Sequence, residues 1–274
     1  MVPDYRAINE ETGIKPLRRF AENPLFCRQR VFYRDPTPNG KQPGNQSMPQ
    51  PSEIIDSVDT DEGKLELIRQ ASGHWVISID HRPLMSSFLH RSEVALADLA
   101  CSPLAEKTSP RVLVGGLGMG YTLRAALDLL PADAEVVTAE INPVVAGWCR
   151  GPIAELSKNA LDDPRVKLEI LDVSILISRA AEAPEEEKFD SLVLDLYEGP
   201  YPPPKGTEDL VYGRKGLQRA RLALRPGGCM AVWSEGPVKT FEKLMGACGF
   251  RAEFHRPKHK GPRHVVYLGW PYTS

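Results

Sequence analysis

Three carboxylates and a knot of glycines stand where they could act on one ligand. Gly116, Gly118 and Gly120 lie in R-V-L-V-G-G-L-G-M-G-Y, Arg111–Tyr121, where an apolar strand-type run breaks into glycines and opens a helical pattern. A backbone without Cβ turns sharply and lets a ligand approach closely. A strand, a glycine turn and a helix start in that order cradle a nucleotide-like ligand. Glu140, Asp172 and Asp195 each follow a later apolar run. A carboxylate only accepts hydrogen bonds, so Glu140 suits a pair of ribose hydroxyls. It also falls about 20 residues past the glycine turn, the spacing of ribose-binding acids in dinucleotide sites. The glycine pattern is G-x-G-x-G, however, and Tyr121 stands where a dinucleotide fingerprint needs its third glycine. That argues against a nicotinamide oxidoreductase.

These residues need a scaffold, and the alternation of patterns supplies one. Strands are expected at Arg111–Val114, Glu135–Ala139, Val166–Ile170, Leu192–Leu194 and Cys229–Trp233. Helices are expected over Tyr121–Leu130, Val144–Leu156, about Gly213–Leu224 and Val238–Cys248, the last stopped by Gly249. Alternating β and α units predict an α/β, Rossmann-like, seven-stranded and mostly parallel sheet with helices on both faces. Two closing runs, Arg251–His255 and His264–Gly269, predict a C-terminal antiparallel hairpin. In such sheets ligands bind beyond the carboxyl ends of the strands, where the glycines and the three acids stand.

Upstream, Lys64–Ile79 alternates in two runs broken at Ser72-Gly73, a small N-terminal β-hairpin unit, and a helix is expected over Phe88–Ala100. Residues 1–63 read as an extension rich in Pro and Gly, densest over Asp35–Ser52, with a short helix near Lys15–Ala21. The expected division is therefore 1–63, 64–105 and 106–274.

Composition narrows the partners. A formal net charge of −2 over 274 residues gives no general attraction to nucleic acid or anionic membrane. No apolar run is long enough to span a bilayer. The five cysteines are scattered and form no C-x-x-C pair, so a reduced, cytoplasmic protein without a cysteine metal site is expected. No His/Asp/Glu spacing suggests a metal. Lys258-His259-Lys260, with Arg263 and His264, reads as a solvated basic hairpin tip.

V-L-V-G-G-L-G-M-G, V-V-T-A-E-I-N-P, D-D-P-R-V-K-L-E-I-L-D, F-D-S-L-V-L-D-L-Y-E-G-P and L-R-P-G-G together resemble the class I S-adenosylmethionine-dependent transferase superfamily, and within it the spermidine synthase branch. The hairpin followed by F-L-H-R-S-E is similar to that branch's N-terminal unit, which ends in a Y-H-E-type helix start. The resemblance covers roughly residues 64–255. It implies cofactor contacts from Gly116, Leu117, Gly118, Gly120, Glu140, Ile141, Asp172, Val173 and Asp195, with Glu140 on the ribose and Asp172 on the adenine amino group. It implies a catalytic loop of Asp195, Tyr197 and Glu198, with Glu198 in place of the family's second aspartate. His90, Tyr201 and Glu235 would line the acceptor side, with Glu93 beside His90. The implied cofactor is S-adenosylmethionine or its decarboxylated form. The implied partners are a small-molecule substrate and a second copy of the chain, a homodimer.

One departure carries weight. The family's glycine loop holds an aspartate for the donor amine where Met119 stands here, and no carboxylate occurs between Asp80 and His90. Fewer acids favour a donor that keeps its carboxylate. The expected reaction is therefore methyl transfer from S-adenosylmethionine to a small amine or other nucleophile. Aminopropyl transfer to a polyamine is the alternative, and a non-catalytic nucleoside-binding scaffold the second. An alkyl ammonium with a pKa near 10 must lose a proton before it attacks, at a cost on the order of 4 kcal/mol at pH 7. Asp195 is the expected acceptor of that proton, Glu198 would steer the cation, and Tyr197 and Tyr201 would form an aromatic wall.

Overall fold

The computed structural model describes residues 52–60, 63–197, 199–203, 207–257 and 264–272. The expectations for residues 1–51 lie outside them. The chain divides into two compact units, one ending at Ser86 and the other beginning at Ser87.

Among the described residues, the first unit holds a four-stranded antiparallel sheet of β1 (Glu53–Thr60), β2 (Gly63–Arg69), β3 (Trp75–Ile79) and β4 (Arg82–Ser86), paired in chain order. β2 and β3 are the expected hairpin, closed by Gln70–His74 with Gly73 at φ +85°. β1 comes from the segment read as an extension and pairs along the whole of β2. Asp80 and His81 both take positive φ in the next turn, the conformation that two-residue hairpins require. Leu65, Leu67, Val76, Ile77 and Ile79 are buried.

The second unit begins with α1 (Arg91–Cys101), the helix read from sequence with the hairpin. β5 (Arg111–Gly115), β6 (Glu135–Glu140), β7 (Val166–Ile170), β8 (Phe189–Leu194), β9 (Leu224–Ser234), β10 (Phe250–His255) and β11 (Val265–Pro271) form the expected seven-stranded sheet. Its order is β10-β11-β9-β8-β5-β6-β7. The five strands β9-β8-β5-β6-β7 are parallel, and β11 runs antiparallel to both neighbours. Among the described residues five further α-helices connect and cover them: α2 (Tyr121–Leu129), α3 (Pro143–Arg150), α4 (Val173–Glu182), α5 (Arg214–Ala223) and α6 (Lys239–Ala247).

β8 is buried along its entire length, as a central parallel strand covered on both sides must be. α3 stops earlier than expected because Gly151 and Pro152 interrupt it, and Ala154–Ser157 continues only as a short 3₁₀ turn. α4 follows β7 where no helix was expected. Val173, Ile177 and Ala180 are its buried stripe, and its i, i+4, i+7 spacing is legible in the sequence.

The topology decides where a ligand can go. From β5 the chain steps outward to β6 and β7, then returns to place β8 on the other flank of β5. The turn after β5 and the loop after β8 therefore diverge at the switch point, where the carboxyl ends of a parallel sheet leave a crevice.

Candidate active site

The glycine turn is held open by its own geometry. Gly116, Gly118 and Gly120 have φ of +89°, +51° and +80°, a region costly to residues with a Cβ. Gly120 is the N-cap of α2. A Cβ on Gly116 would sit 2.3 Å from the Asp195 carbonyl oxygen, so the turn after β5 and the loop after β8 touch through bare backbone. Gly116 N–H donates to the Ala139 carbonyl at 2.9 Å, and Asp195 N–H to the Gly115 carbonyl at 2.8 Å. Three strand ends are thereby tied together.

Glu140, at the end of β6, is buried and accepts from the Leu117 N–H at 3.1 Å and the Asn142 N–H at 2.8 Å. Burial raises its pKa, and the backbone N–H groups of Asn142, Leu117, Gly118 and Ile141 oppose that rise. Its carboxylate thus clamps the glycine turn as well as standing beside it. From the other side, the Cys149 thiol donates to the Gly118 carbonyl at 3.2 Å. Burial pushes that thiol up to about 12, so it stays a neutral donor at ordinary pH.

Asp172 caps α4, accepting from Ser174 N–H at 2.8 Å. Val173 is buried, and a Cβ on Gly115 would lie 2.9 Å from its Cγ2. Leu117 is buried and Ile141 is 48% exposed. The glycines, Glu140, Ile141, Asp172 and Val173 therefore sit at the carboxyl ends of β5, β6 and β7, three adjacent strands, as expected.

Asp195 follows β8 and keeps some accessible surface as a residue, but its carboxyl is enclosed. Burial, reinforced by the Glu93 charge, raises its pKa to about 7. The Thr122 hydroxyl, first turn of α2, donates to Asp195 Oδ2 and opposes the rise. Glu93 comes from the first turn of α1, a helix that packs on α2 and against β8 and β9, and is 8% exposed. Like charges in a low-dielectric pocket cannot both ionise freely, and the Glu93 charge adds to burial in holding the Asp195 carboxyl up. Burial and the Glu93 charge also raise the Tyr121 hydroxyl. His90 stacks on Tyr121, ring centroids 4.1 Å apart and planes within 12°, and its Nδ1 lies 3.0 Å from the Ser87 carbonyl. Asp195, Thr122, Glu93, Tyr121 and His90 form one cluster. Thr122 carries no motif, and only its bond to Asp195 and the packing of α1 on α2 bring it into the site.

The remaining expected residues are placed less closely. Tyr201 is 37% exposed and opens on an apolar cavity of about 200 Å³ lined by Pro202, Tyr212 and Phe241; Asp195 is not among its described lining. Its hydroxyl sits 3.5 Å from where a Cβ on Gly236 would be, so the loop after β8 meets the end of β9 near exposed Glu235. Tyr197 is half-buried. Glu198 lies outside the described residues, as do Lys258, His259, Lys260 and Arg263 of the basic run. His264 is not a solvated tip residue: it is half-buried, with Nδ1 2.8 Å from Ser92 Oγ. Met119 is fully buried, so its side chain presents no surface to a ligand. Among the described residues no group of three or more His, Cys, Asp or Glu could hold a metal ion, and no helix is long and apolar enough to cross a membrane.

The Thr122 bond yields a direct expectation. Thr122→Val removes a donor that favours the ionised carboxylate, so Asp195 stays protonated to a higher pH. The acid limb of the rate profile should move upward by about one pH unit, with activity at pH 6.5 falling about tenfold. A profile that superimposes on the wild type would show that the bond does not govern Asp195.

A crevice at a switch point, a glycine turn at its floor and acids at successive strand ends define the spermidine synthase-like form of the class I S-adenosylmethionine-dependent transferase fold, and the chain has that fold. Solved structures agree: spermidine synthase from Thermotoga maritima superimposes with a TM-score of 0.59 at 16% identity over 80% of this chain and 72% of that one. A spermidine synthase in complex with the transition state analogue AdoDATO gives 0.58 at 16% identity, covering 79% and 71%. Among curated proteins, a polyamine aminopropyltransferase of Mycobacterium tuberculosis is 30% identical over 153 residues, 56% of this chain and 28% of the relative. That of Nitrosomonas europaea is 32% identical over 139 residues, 50% of this chain and 39% of the relative. Polyamine aminopropyltransferase 1 of Pseudomonas aeruginosa is 27% identical over 166 residues, 59% and 54%. The matched region thus spans from about a quarter to about half the length of these relatives. No protein-family model matches the chain.

These relatives overturn methyl transfer as the expected reaction. The expectation rested on Met119 as a donor-facing residue and on a shortage of acids. Met119 is buried in the core, and Glu93, placed beyond the segment judged empty of carboxylates, supplies a second acid beside Asp195.

Proposed function

We propose that the chain transfers an aminopropyl group from decarboxylated S-adenosylmethionine to an amine of the polyamine class. The carrying observation is the acid pair Asp195 and Glu93 at the switch point, set in a fold shared with spermidine synthases and in a region similar to polyamine aminopropyltransferases. Glu140 and Asp172 stand at adjacent strand ends beside the glycine turn and offer acceptors to a nucleoside's hydroxyl and amino hydrogens, so the residues present fit the donor. Bound there, the donor supplies an electrophilic carbon on a cationic sulfur. Gly116, Leu117, Gly118, Gly120, Glu140, Ile141, Asp172 and Val173 would hold its nucleoside part. Asp195 and Glu93 would attract the acceptor's ammonium and take its proton. A carboxyl with a pKa of about 7 is a stronger base toward that proton than one near 4, and still ionised in part at neutral pH. Holding donor and acceptor in line supplies the larger share of the rate. Tyr197, Tyr201, Glu198, Glu235 and His90 remain candidates for the acceptor's length and orientation.

The test is an assay of methylthioadenosine release from decarboxylated S-adenosylmethionine with a series of diamines and triamines. Amine-dependent release is expected, with S-adenosylmethionine at least tenfold poorer as donor. Methylated amine from S-adenosylmethionine, with no methylthioadenosine from the decarboxylated donor, would overturn the reading.

A further inference from the structure

If amine transfer is the reaction, each turnover leaves a proton on a buried acid pair, and that proton must leave before the next cycle. A hydrogen-bonded chain leads away from Glu93. Ser92 Oγ donates to Glu93 Oε2 at 2.6 Å, and the same oxygen lies 2.8 Å from His264 Nδ1. Ser92 is 3% exposed, whereas His264, just before β11, is half-buried and packs edge-on against Trp233 with centroids 4.8 Å apart. The chain therefore runs from a buried acid to a less buried imidazole just before β11.

A serine hydroxyl carries one proton, which couples its two partners. When Ser92 gives that proton to an ionised Glu93, the oxygen can only accept from His264, so Nδ1 must carry hydrogen. When Glu93 is protonated, both bonds reverse: the carboxyl donates to Ser92 and Ser92 donates to a bare Nδ1. One arrangement becomes the other by two linked hops. The Glu93 Oε2–H and Ser92 Oγ–H bonds break, and new Ser92 Oγ–H and His264 Nδ1–H bonds form. The carboxyl becomes a carboxylate and the neutral imidazole an imidazolium.

We propose that Ser92 and His264 form a relay that carries the proton taken up by the acid pair from Glu93 out to the imidazole edge. The proposal rests on the aminopropyl-transfer reading for its purpose, but not for its geometry. Ser92 and His264 act through Glu93 and are positioning residues. Among the described residues, groups facing the relay include Glu93 from α1, Asp195 from the loop after β8, Tyr121 from α2 and the Trp233 ring from β9.

Two measurements test it on the full-length protein. Nitrogen NMR of the ligand-free chain should show the His264 titration moving to lower pH in Glu93→Gln, and losing its link to Glu93 in Ser92→Ala. In the transfer assay, His264→Ala should lower kcat about 10- to 100-fold with the acceptor KM little changed, and added imidazole should restore much of the loss. His264→Gln and Ser92→Ala serve as second variants should the alanine fail to fold, with the kcat loss but no imidazole rescue for Ser92→Ala. A His264 titration indifferent to Glu93→Gln overturns the relay whatever the activity, as does a folded His264→Ala at wild-type kcat. If the NMR link is present but the wild type moves no aminopropyl group, the relay stands and the functional reading fails.

Discussion

Replacing Asp195 with Asn is expected to lower kcat by about 10²- to 10⁴-fold and to raise Tm at pH 8. The two effects share a cause. The carboxyl is enclosed beside Glu93, and its pKa stands at about 7 instead of 3.8. A raised folded-state pKa means that the folded chain keeps a proton the unfolded chain has lost. Its favourable contribution is whole below about pH 4, shrinks as pH climbs through the interval from 3.8 to about 7, and is gone above that. The span corresponds to about 4 kcal/mol, shared with Glu93. Asparagine keeps a polar group for Thr122 but carries no charge to bury, so its stability should be flat over the same interval. Calorimetry from pH 4 to pH 8 should show the two melting curves converging at the acid end and the variant ahead at the alkaline end. Methylthioadenosine should still raise the variant's Tm, because the nucleoside contacts lie on other strands. Wild-type turnover in the variant would remove Asp195 from the chemistry, and a Tm difference independent of pH would remove the enclosed charge from the stability.

Gly116→Ala is expected to cost about 3 kcal/mol, a fall in Tm of roughly 6–12 °C, and to abolish nucleoside binding. Gly227→Ala is the internal control. Both glycines hold positive φ, +89° and +78°, but a Cβ at Gly116 meets the Asp195 carbonyl oxygen at 2.3 Å, whereas nothing lies within 4 Å of one at Gly227. Backbone strain alone should therefore cost Gly227→Ala about 1 kcal/mol. The excess at Gly116 measures the collision between the turn after β5 and the loop after β8. Because that contact also sets the floor of the crevice, the binding loss should exceed what the stability loss explains. Isothermal titration with methylthioadenosine at a temperature where both variants are folded separates the two. Equal costs at the two glycines would mean that the loops are not in contact.

Much of this site was legible one strand at a time. A glycine run after an apolar stretch, and an acid after each of the next three, are local patterns, and a parallel sheet converts them into neighbours because all its strands end on one edge. The alternation of strand and helix periods made the seven-stranded sheet and its closing hairpin readable, since each period is a property of a few consecutive residues. Three elements escaped: β1, hidden in a segment that reads as turn-rich, β4 (Arg82–Ser86), only five residues long with a proline in it, and α4, whose stripe of Val173, Ile177 and Ala180 is short.

Met119 shows where reading along the chain fails. Its place in the motif suggested a side chain facing the donor, but which way a residue in a glycine turn points depends on the φ of its neighbours and on what packs behind it, and Met119 turned inward. Glu93 shows the converse. It precedes Asp195 by about a hundred residues along the chain, and only the packing of α1 on α2 and against β8 puts its charge where it lifts Asp195. His264 belonged by sequence to a basic run, and β11's return beside β9 carried it to Ser92 instead. Sequence by itself determined the fold class, the glycine turn and the acids at the strand ends, because those follow from local backbone preference and period. The second acid, the buried methionine and the serine–histidine link were decided only by tertiary structure. A pKa and a proton path depend on distance through space between groups that the chain holds far apart.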